Sequence, residues 1–317
     1  MDSAPLLPLA ATPEAWDTLL GDDAALRPGV LAIARRHRIA VDEARGAQRY
    51  DSGSLPVYAL SEGTVLKLYP PEDAAHAEVE AQVLAFVDDR LPVATPRVIA
   101  TGAQDGWRYL LMTRLRGRRL VEAWTDLDGR GRERVAEQTG AALGALHALD
   151  GTALRAIEPD WDDFVAAQRA SAVERQRARR LAPQWLECIE PFLDAWMPEA
   201  PPRRALLHTE VMREHLMVDV APAGGGVALT GLFDFEPAMT GHPDYEFASV
   251  GLFVTCGDAR LLRRLMLAYG RRAADLDDDA LPCRLMAHAL LHRYSNLRWY
   301  LERLPVPGAT TLEDLAR

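Results

Sequence analysis

The chain has 317 residues and a mass of 35.0 kDa, enough for one large domain or for two lobes with separate cores. A net charge of −10 with a pI near 5.3 argues against a nucleic-acid binder, which would carry a basic stripe, and no apolar run approaches the roughly 20 residues of a membrane span. Three scattered cysteines, Cys188, Cys256 and Cys283, argue against a disulfide framework or zinc cluster and point to the reducing cytoplasm.

The first eight residues lack a basic flank and a long apolar run, so no secretion signal is expected. Residues 12–38 are predicted helical, from Trp16, Leu19 and Leu20 and then Val30, Leu31, Ile33 and Ala34 at helix spacing. Residues 47–50, 55–60 and 64–69 read as short strands, separated by turns at Asp51-Ser52-Gly53-Ser54 and Ser61-Glu62-Gly63. A helix over 72–89 follows, then strands at 97–102 and 107–113. The order predicts a five-stranded antiparallel sheet with one helix, and a hinge at Arg114-Leu115-Arg116-Gly117. Beyond it, 3.6-residue periodicity predicts helices over 132–149, 160–180, 183–196, 245–254, 260–272 and 282–304. The exception is 206–236, where apolar runs at 216–220 and 227–233 flank a loose turn at 221–226 and form a small hairpin.

Within that exception two acidic stations, Glu210 and Asp234, stand twenty-four positions apart. Transfer of a γ-phosphoryl group asks mainly for positioning and for charge matched to the phosphates: a cover, a cation, a metal-holding acid, and an acid that orients the acceptor hydroxyl. Ser52, Gly53 and Ser54 offer backbone N–H groups and hydroxyls as the cover, though such a turn also serves as a plain hairpin. Lys67, alone among apolar strand residues, needs a partner or a ligand anion unless it snorkels to water. Glu78 or Glu80 on the following helix is placed to pair with it. Glu210 is the expected acceptor of the hydroxyl proton, and Asp234, at a strand end, is an oxygen ligand suited to Mg²⁺. His208 has a structural role beside Glu210. His215 is open between a metal, a phosphate oxygen and closure of the loop, imidazole being better suited to softer metals than to Mg²⁺.

With these residues placed, the chain resembles the aminoglycoside phosphotransferase and choline kinase-like family over roughly residues 45–300. The family's H-G-D-x-x-x-x-N loop aligns with His208–His215 and its I-D-[FW] motif with Phe233-Asp234-Phe235. Leu143-Gly144-Ala145-Leu146-His147-Ala148-Leu149 resembles its L-x-x-L-H-x-L helix, and Gly241–Ala248 its G-D-P-x-x-D-L-A helix start. The resemblance implies an α+β, bilobal protein-kinase-like fold. It would have an N-terminal nucleotide-binding lobe at 1–114, with a helical extension at 1–44, and a mainly helical catalytic and substrate-binding lobe at 115–317. Lys67 takes the place of the phosphate-binding lysine and Glu80 that of its helix partner. Leu110–Arg114, with Met112 and Arg114, matches the hinge whose backbone pairs with a purine.

The resemblance further implies ATP or GTP with Mg²⁺, Mn²⁺ remaining open, and a hydroxyl acceptor among antibiotics, with neither nucleic acid nor membrane as partner. A monomer and a dimer are both compatible. Asp160, Asp162, Asp163 and Glu236 are candidates to face the acceptor, or else are solvated or capping acids. Three positions depart from the pattern: Thr209 replaces the glycine, Glu210 the catalytic aspartate, and His215 the metal-binding asparagine. The extra methylene of Glu210 moves its carboxylate by about an ångström, and a displacement of that size changes a rate by about 100-fold. Two main readings follow. One is phosphorylation of a small-molecule hydroxyl for resistance or self-protection. The other is a pseudokinase that binds without transfer, and adenylyl transfer is a remote third.

Overall fold

The computed structural model describes residues 5–43, 46–154, 157, 159–197, 203–221, 226–304, 306 and 308–317. Contacts divide the chain into two compact units. One comprises Met1–Asp89, Ala94–Arg116 and Phe233–Glu236; the other comprises Arg90–Val93, Gly117–Leu232 and Pro237–Arg317.

In the first unit, helices α1 (Pro13–Gly21) and α2 (Asp23–Arg36) precede strands β1 (Gln48–Arg49), β2 (Val57–Ala59) and β3 (Thr64–Tyr69). Helix α3 (Ala74–Val87) and strands β4 (Val98–Gln104) and β5 (Trp107–Thr113) complete it. The sheet is antiparallel, in the order β1-β2-β3-β5-β4. Side chains alternate across a strand, so register decides which residues share a face. Tyr58, Leu66, Leu68, Trp107, Tyr109 and Leu111 point to one side, where they build a core with Leu26, Val30 and Ile33 of α2. The other side carries Val57, Val65, Lys67, Leu110 and Met112, through the pairs Val57–Lys67, Lys67–Leu110 and Val65–Met112. The apolar stripe Ala77, Val83, Leu84 and Val87 buries one side of α3, and Glu80 lies in that same stripe.

The second unit begins with β6 (Arg118–Arg119), α4 (Leu120–Ala123) and the long α5 (Gly129–Ala148), whose first turn is capped by the Asp128 carboxylate. Helices α6 (Trp161–Ala178) and α7 (Pro183–Trp196) follow. Two small antiparallel sheets come next. Strand β7 (Ala205–Leu207) pairs with β10 (Met239–Gly241), while β8 (Leu216–Val220) lies between β6 and β9 (Val227–Leu232). Helix α8 (Asp244–Ser249) runs into a π-helical turn, Val250–Val254. The remainder is α9 (Ala259–Tyr269), α10 (Ala273–Leu276), α11 (Leu281–Leu291), α12 (Leu297–Arg303) and α13 (Leu312–Ala316). Ile189, Leu193, Leu290, Leu297 and Tyr300 form the core of this helical part.

Several expected elements change shape. The helix read over 12–38 is two helices, because Asp22 leaves the helical conformation and its carboxylate caps α2. The helix read over 282–304 breaks after Leu291. Gln176, buried in α6, donates to the Ser295 carbonyl and hydroxyl and accepts the Leu297 N–H, holding the chain in a turn that Asn296 converts into the cap of α12. The helix read over 245–254 tightens first as α and then widens to π. Residues 222–225 of the expected 221–226 turn lie outside the described residues. Among the described residues no helix is long and apolar enough to cross a membrane.

Candidate functional site

Lys67 lies in a strand whose six residues are all buried, so its ammonium must find charge inside the protein. It finds three carboxylates: Glu80 Oε2 at 2.9 Å, Asp234 Oδ1 at 2.5 Å and Glu236 Oε2 at 2.6 Å. Glu80 is the more constrained. Its Oε2 accepts from Lys67 and from the Tyr69 hydroxyl, and its Oε1 accepts the backbone N–H of Phe235 at 3.2 Å. Tyr69 is two residues along β3 from Lys67, hence on the same face, and the ammonium stands 5.3 Å from its ring centre. Phe235, with no exposed surface, anchors the segment that carries the two further acids, and Asp234 adopts a left-handed backbone with φ +74°.

The electrostatics follow from crowding. Burial opposes the Lys67 charge, but Asp234 and Glu80, then Tyr69 and Glu236, hold its pKa well above the ordinary lysine value. Burial pushes Glu236 up to about 7; Lys67 opposes the rise, while Asp234 and Glu80 add to it. Burial, and after it Glu80, raises Tyr69 well above its usual value. Oxygens of Glu80, Asp234 and Glu236 lie within 4.8 Å of one another. Ligands about 2.1 Å from an octahedral Mg²⁺ stand about 3 to 4 Å apart, and a carboxylate-only donor set suits a hard cation, so these residues fit Mg²⁺ or Mn²⁺.

In the second unit the loop after β7 carries the other group. His208 is fully buried, and its Nδ1 accepts the Glu210 N–H at 3.3 Å. Its own backbone N–H donates to Glu246 Oε2 at 2.7 Å. Glu246 is also fully buried and stands 3.4 Å from His147 Nε2, while His147 Nδ1 meets the Tyr269 hydroxyl at 3.0 Å. Thr209 has φ +71°, and its Oγ1 donates to the Pro237 carbonyl at 3.1 Å. His215 is turned back on the loop, its Nδ1 2.8 Å from the Glu210 carbonyl. A backbone carbonyl only accepts, so Nδ1 carries a proton. Arg213 clamps the same loop, its guanidinium 3.5 Å from the Trp124 ring centre and its Nε donating to the Val254 carbonyl.

Other sequence-predicted residues are placed differently. Glu78 is exposed and faces Arg108, leaving Glu80 as the lysine partner. Gly53, Ser54 and Arg114 line a depression of about 1040 Å³ at the β1 edge, with Arg27, Arg49 and Tyr50. Its lining does not include Lys67, and Ser52 is exposed beside it. Met112 lies on the Lys67 face through its pairing with Val65. Asp160 caps α6 and pairs with Arg204, as does Asp162, while Asp163 lies exposed in the first turn of α6. Glu236, counted from sequence among the acceptor-facing acids, has its carboxylate on Lys67 instead.

Sequence reasoning did not single out Tyr69, Arg213, Glu246 or His292. Tyr69 had a local signal, two residues after Lys67 on a strand. His292 had none: its Nε2 reaches the Thr209 carbonyl from 83 positions away.

Residues 46–281 match the phosphotransferase enzyme family. No curated protein matches the chain. Similar solved structures include the GDP complex of wild-type aminoglycoside 2′-phosphotransferase-IIIa, with TM-score 0.70 and 17% identity over 92% of this chain and 98% of that one. A macrolide 2′-phosphotransferase from Brachybacterium faecium, solved as the apoenzyme, gives TM-score 0.57 and 19% identity over 84% and 98%. A type I macrolide 2′-phosphotransferase gives 0.59 and 21% over 85% and 90%. The likeness is one of fold, protein-kinase-like with a five-stranded antiparallel sheet.

Proposed function

The chain belongs to the phosphotransferase enzyme family, and on that premise we propose that it moves the γ-phosphoryl group of ATP or GTP to a hydroxyl of an antibiotic, an aminoglycoside foremost. The observation that carries the reading is the buried Lys67 ammonium held between Glu80 at 2.9 Å and Asp234 at 2.5 Å. A buried cation kept charged by acids from a neighbouring helix and from a separate segment supplies fixed positive charge for phosphate oxygens. Asp234 would hold Mg²⁺ or Mn²⁺, which when bound offsets phosphate charge.

In this reading Glu210 orients the acceptor hydroxyl and takes its proton late in transfer. His208 fixes the Glu210 backbone through Nδ1, and Glu246 fixes His208 in turn. His215 holds the loop closed through the Glu210 carbonyl. Similar structures hold GDP, or GDP with kanamycin, and an acidic protein suits a cationic acceptor; both support the substrate class. Resistance or self-protection in the cytoplasm is the corresponding biological role.

The alternative, a protein that binds nucleotide without transferring phosphate, draws on Glu210 and His215. The test is consumption of ATP and GTP with Mg²⁺ and with Mn²⁺ across aminoglycosides and macrolides. Turnover is expected in the native protein, with a loss of about 100-fold or more in Glu210→Ala and in Asp234→Ala. Nucleotide binding with no product under any condition would favour the alternative. Full activity of Asp234→Ala would remove the metal assignment.

A further inference from the structure

Helix α8 and the π-helical turn that continues it hold the Glu210 loop at two points. Near the start, the Glu246 carboxylate accepts the His208 N–H at 2.7 Å. At the end, the Val254 carbonyl accepts from Arg213 Nε at 2.9 Å. Glu210 lies in the chain between the two held residues. A loop that runs along one side of a helix needs both anchor points on that side.

A continuous α-helix does not meet this condition. Glu246 and Val254 are eight positions apart, and at about 100° per residue Val254 would stand about 80° round from Glu246. The helix changes type between them, α over Asp244–Ser249 and π over Val250–Val254. Widening the last five steps to about 85° each brings Val254 within about 10° of the Glu246 side. Three bonds hold the wider turn. The Thr255 N–H reaches the Val250 carbonyl, five residues back, at 3.0 Å, and the Gly251 carbonyl accepts from Thr255 Oγ1 and from the Gly257 N–H, each at 3.1 Å. The Val254 carbonyl falls in the last turn, where carbonyls lack a partner within the helix, and Arg213 supplies one.

Arg213 is fixed in its turn. It is half-buried, its guanidinium 3.5 Å from the Trp124 ring centre, with Arg132 at 5.2 Å from the centre of the same ring. Stacking sets the plane of the guanidinium and so the direction of its Nε–H, which a lysine ammonium has no plane to reproduce.

Resting on the phosphotransfer reading for the role of Glu210, we propose that Arg213 is a positioning residue for the Glu210 carboxylate, and that the π-turn sets the register that lets one helix hold both His208 and Arg213. Losing either the arginine or the wide turn frees the same end of the loop, so the two losses do not add.

The test uses the full chain as Arg213→Met, Arg213→Lys, a deletion of Gly251 that narrows the π-turn to α, and the deletion combined with Arg213→Met. Transfer of phosphate from ATP or GTP is measured across aminoglycosides and macrolides, together with amide exchange over 208–215 and unfolding midpoints. Arg213→Met is expected to lower kcat at least about 10-fold while KM for nucleotide and acceptor stays within about 3-fold, with Arg213→Lys between it and native. The deletion is expected to match Arg213→Met in kcat, and the combined variant to lose nothing more. Exchange over 208–215 should quicken at least about 10-fold in all of these except Arg213→Lys, which falls between. Native kcat in both Arg213 variants, or a change confined to KM, overturns the positioning role. Losses that multiply in the combined variant overturn the link to the π-turn. Should the deletion not fold, Thr255→Val weakens the wide turn at constant chain length: faster exchange over 208–215 supports the link, and native exchange overturns it. Absence of turnover in native protein under every condition overturns the phosphotransfer reading and the role at Glu210, while exchange still decides whether Arg213 and the π-turn hold the loop.

Discussion

Thr209 is held at φ +71°, a left-handed conformation in which a β-branched side chain crowds its own backbone, and it has no exposed surface. Two contacts hold it there. Its Oγ1 donates to the Pro237 carbonyl at 3.1 Å, and its carbonyl accepts from His292 Nε2 at 2.9 Å. At the aligned position the family carries glycine, which adopts this conformation without strain. Thr209→Ala keeps the strain and deletes the buried hydrogen bond, so it should destabilise by about 1–3 kcal/mol. Thr209→Gly deletes the same bond but relieves a strain of about 1–2 kcal/mol, leaving a smaller net change. Chemical denaturation of the two variants checks the order: an alanine variant as stable as the glycine variant would mean that the left-handed backbone carries no strain. The cost of replacing glycine depends on the backbone torsion, and here the torsion belongs to the left-handed region.

Helices α5 and α9 meet on two glycines one turn apart. A Cβ on Gly144 would stand 2.6 Å from the Tyr269 carbonyl oxygen, and one on Gly140 would press still harder on the Leu265 carbonyl. The atoms met are backbone, which cannot swing aside. Gly140→Ala should therefore force the helices apart and destabilise by about 1–3 kcal/mol or more, in spite of alanine's better helix propensity. Gly21→Ala, at the exposed end of α1 where nothing lies within 4 Å, is the control and should change stability little. A thermal melt of each decides it, and equal midpoints would refute the close-packing account. Elements of this kind were legible where the signal is local. The α3 stripe placed Glu80, the strand pattern gave all five strands and their antiparallel pairing, and the 206–236 segment stood out from its helical surroundings. Gly144 was legible only as part of a motif, since the carbonyl it approaches lies 125 positions away. The ion pair of Glu236 was not legible, because nothing near it in sequence reveals a lysine 169 positions earlier.

Burial of titratable groups sets a pH response for the molecule as a whole. His292 is 2% exposed, stacked on Tyr245 at 5.2 Å, and fixed as one tautomer: Nε2–H donates to the Thr209 carbonyl while Nδ1 accepts the Tyr294 N–H. Burial depresses its pKa to about 4; the Thr209 carbonyl and Glu246 oppose the shift, and Arg293 and Arg175 add to it. Above pH 6.5 both folded and unfolded chains carry this histidine neutral. As pH falls through 6.5 the unfolded chain takes up a proton that the folded one refuses, so stability is lost down to about 4. Between about pH 7.5 and about pH 5 the loss from this residue is about 2 kcal/mol. His288, driven well below its ordinary value by burial and then by His242, adds a loss of the same sign. Glutamine at 292 retains an N–H for the Thr209 carbonyl but does not titrate. Urea unfolding at the two pH values should therefore show His292→Gln less stable than native at the higher pH, yet losing about 2 kcal/mol less on acidification. If both proteins lose the same stability, the protonation that unsettles the fold occurs elsewhere. The added proton falls on Nδ1, which can then no longer accept the Tyr294 N–H, while Nε2–H still donates to Thr209. The native protein should therefore loosen the turn after α11 on acidification, read as faster amide exchange at Tyr294 at the lower pH after correction for the intrinsic rate.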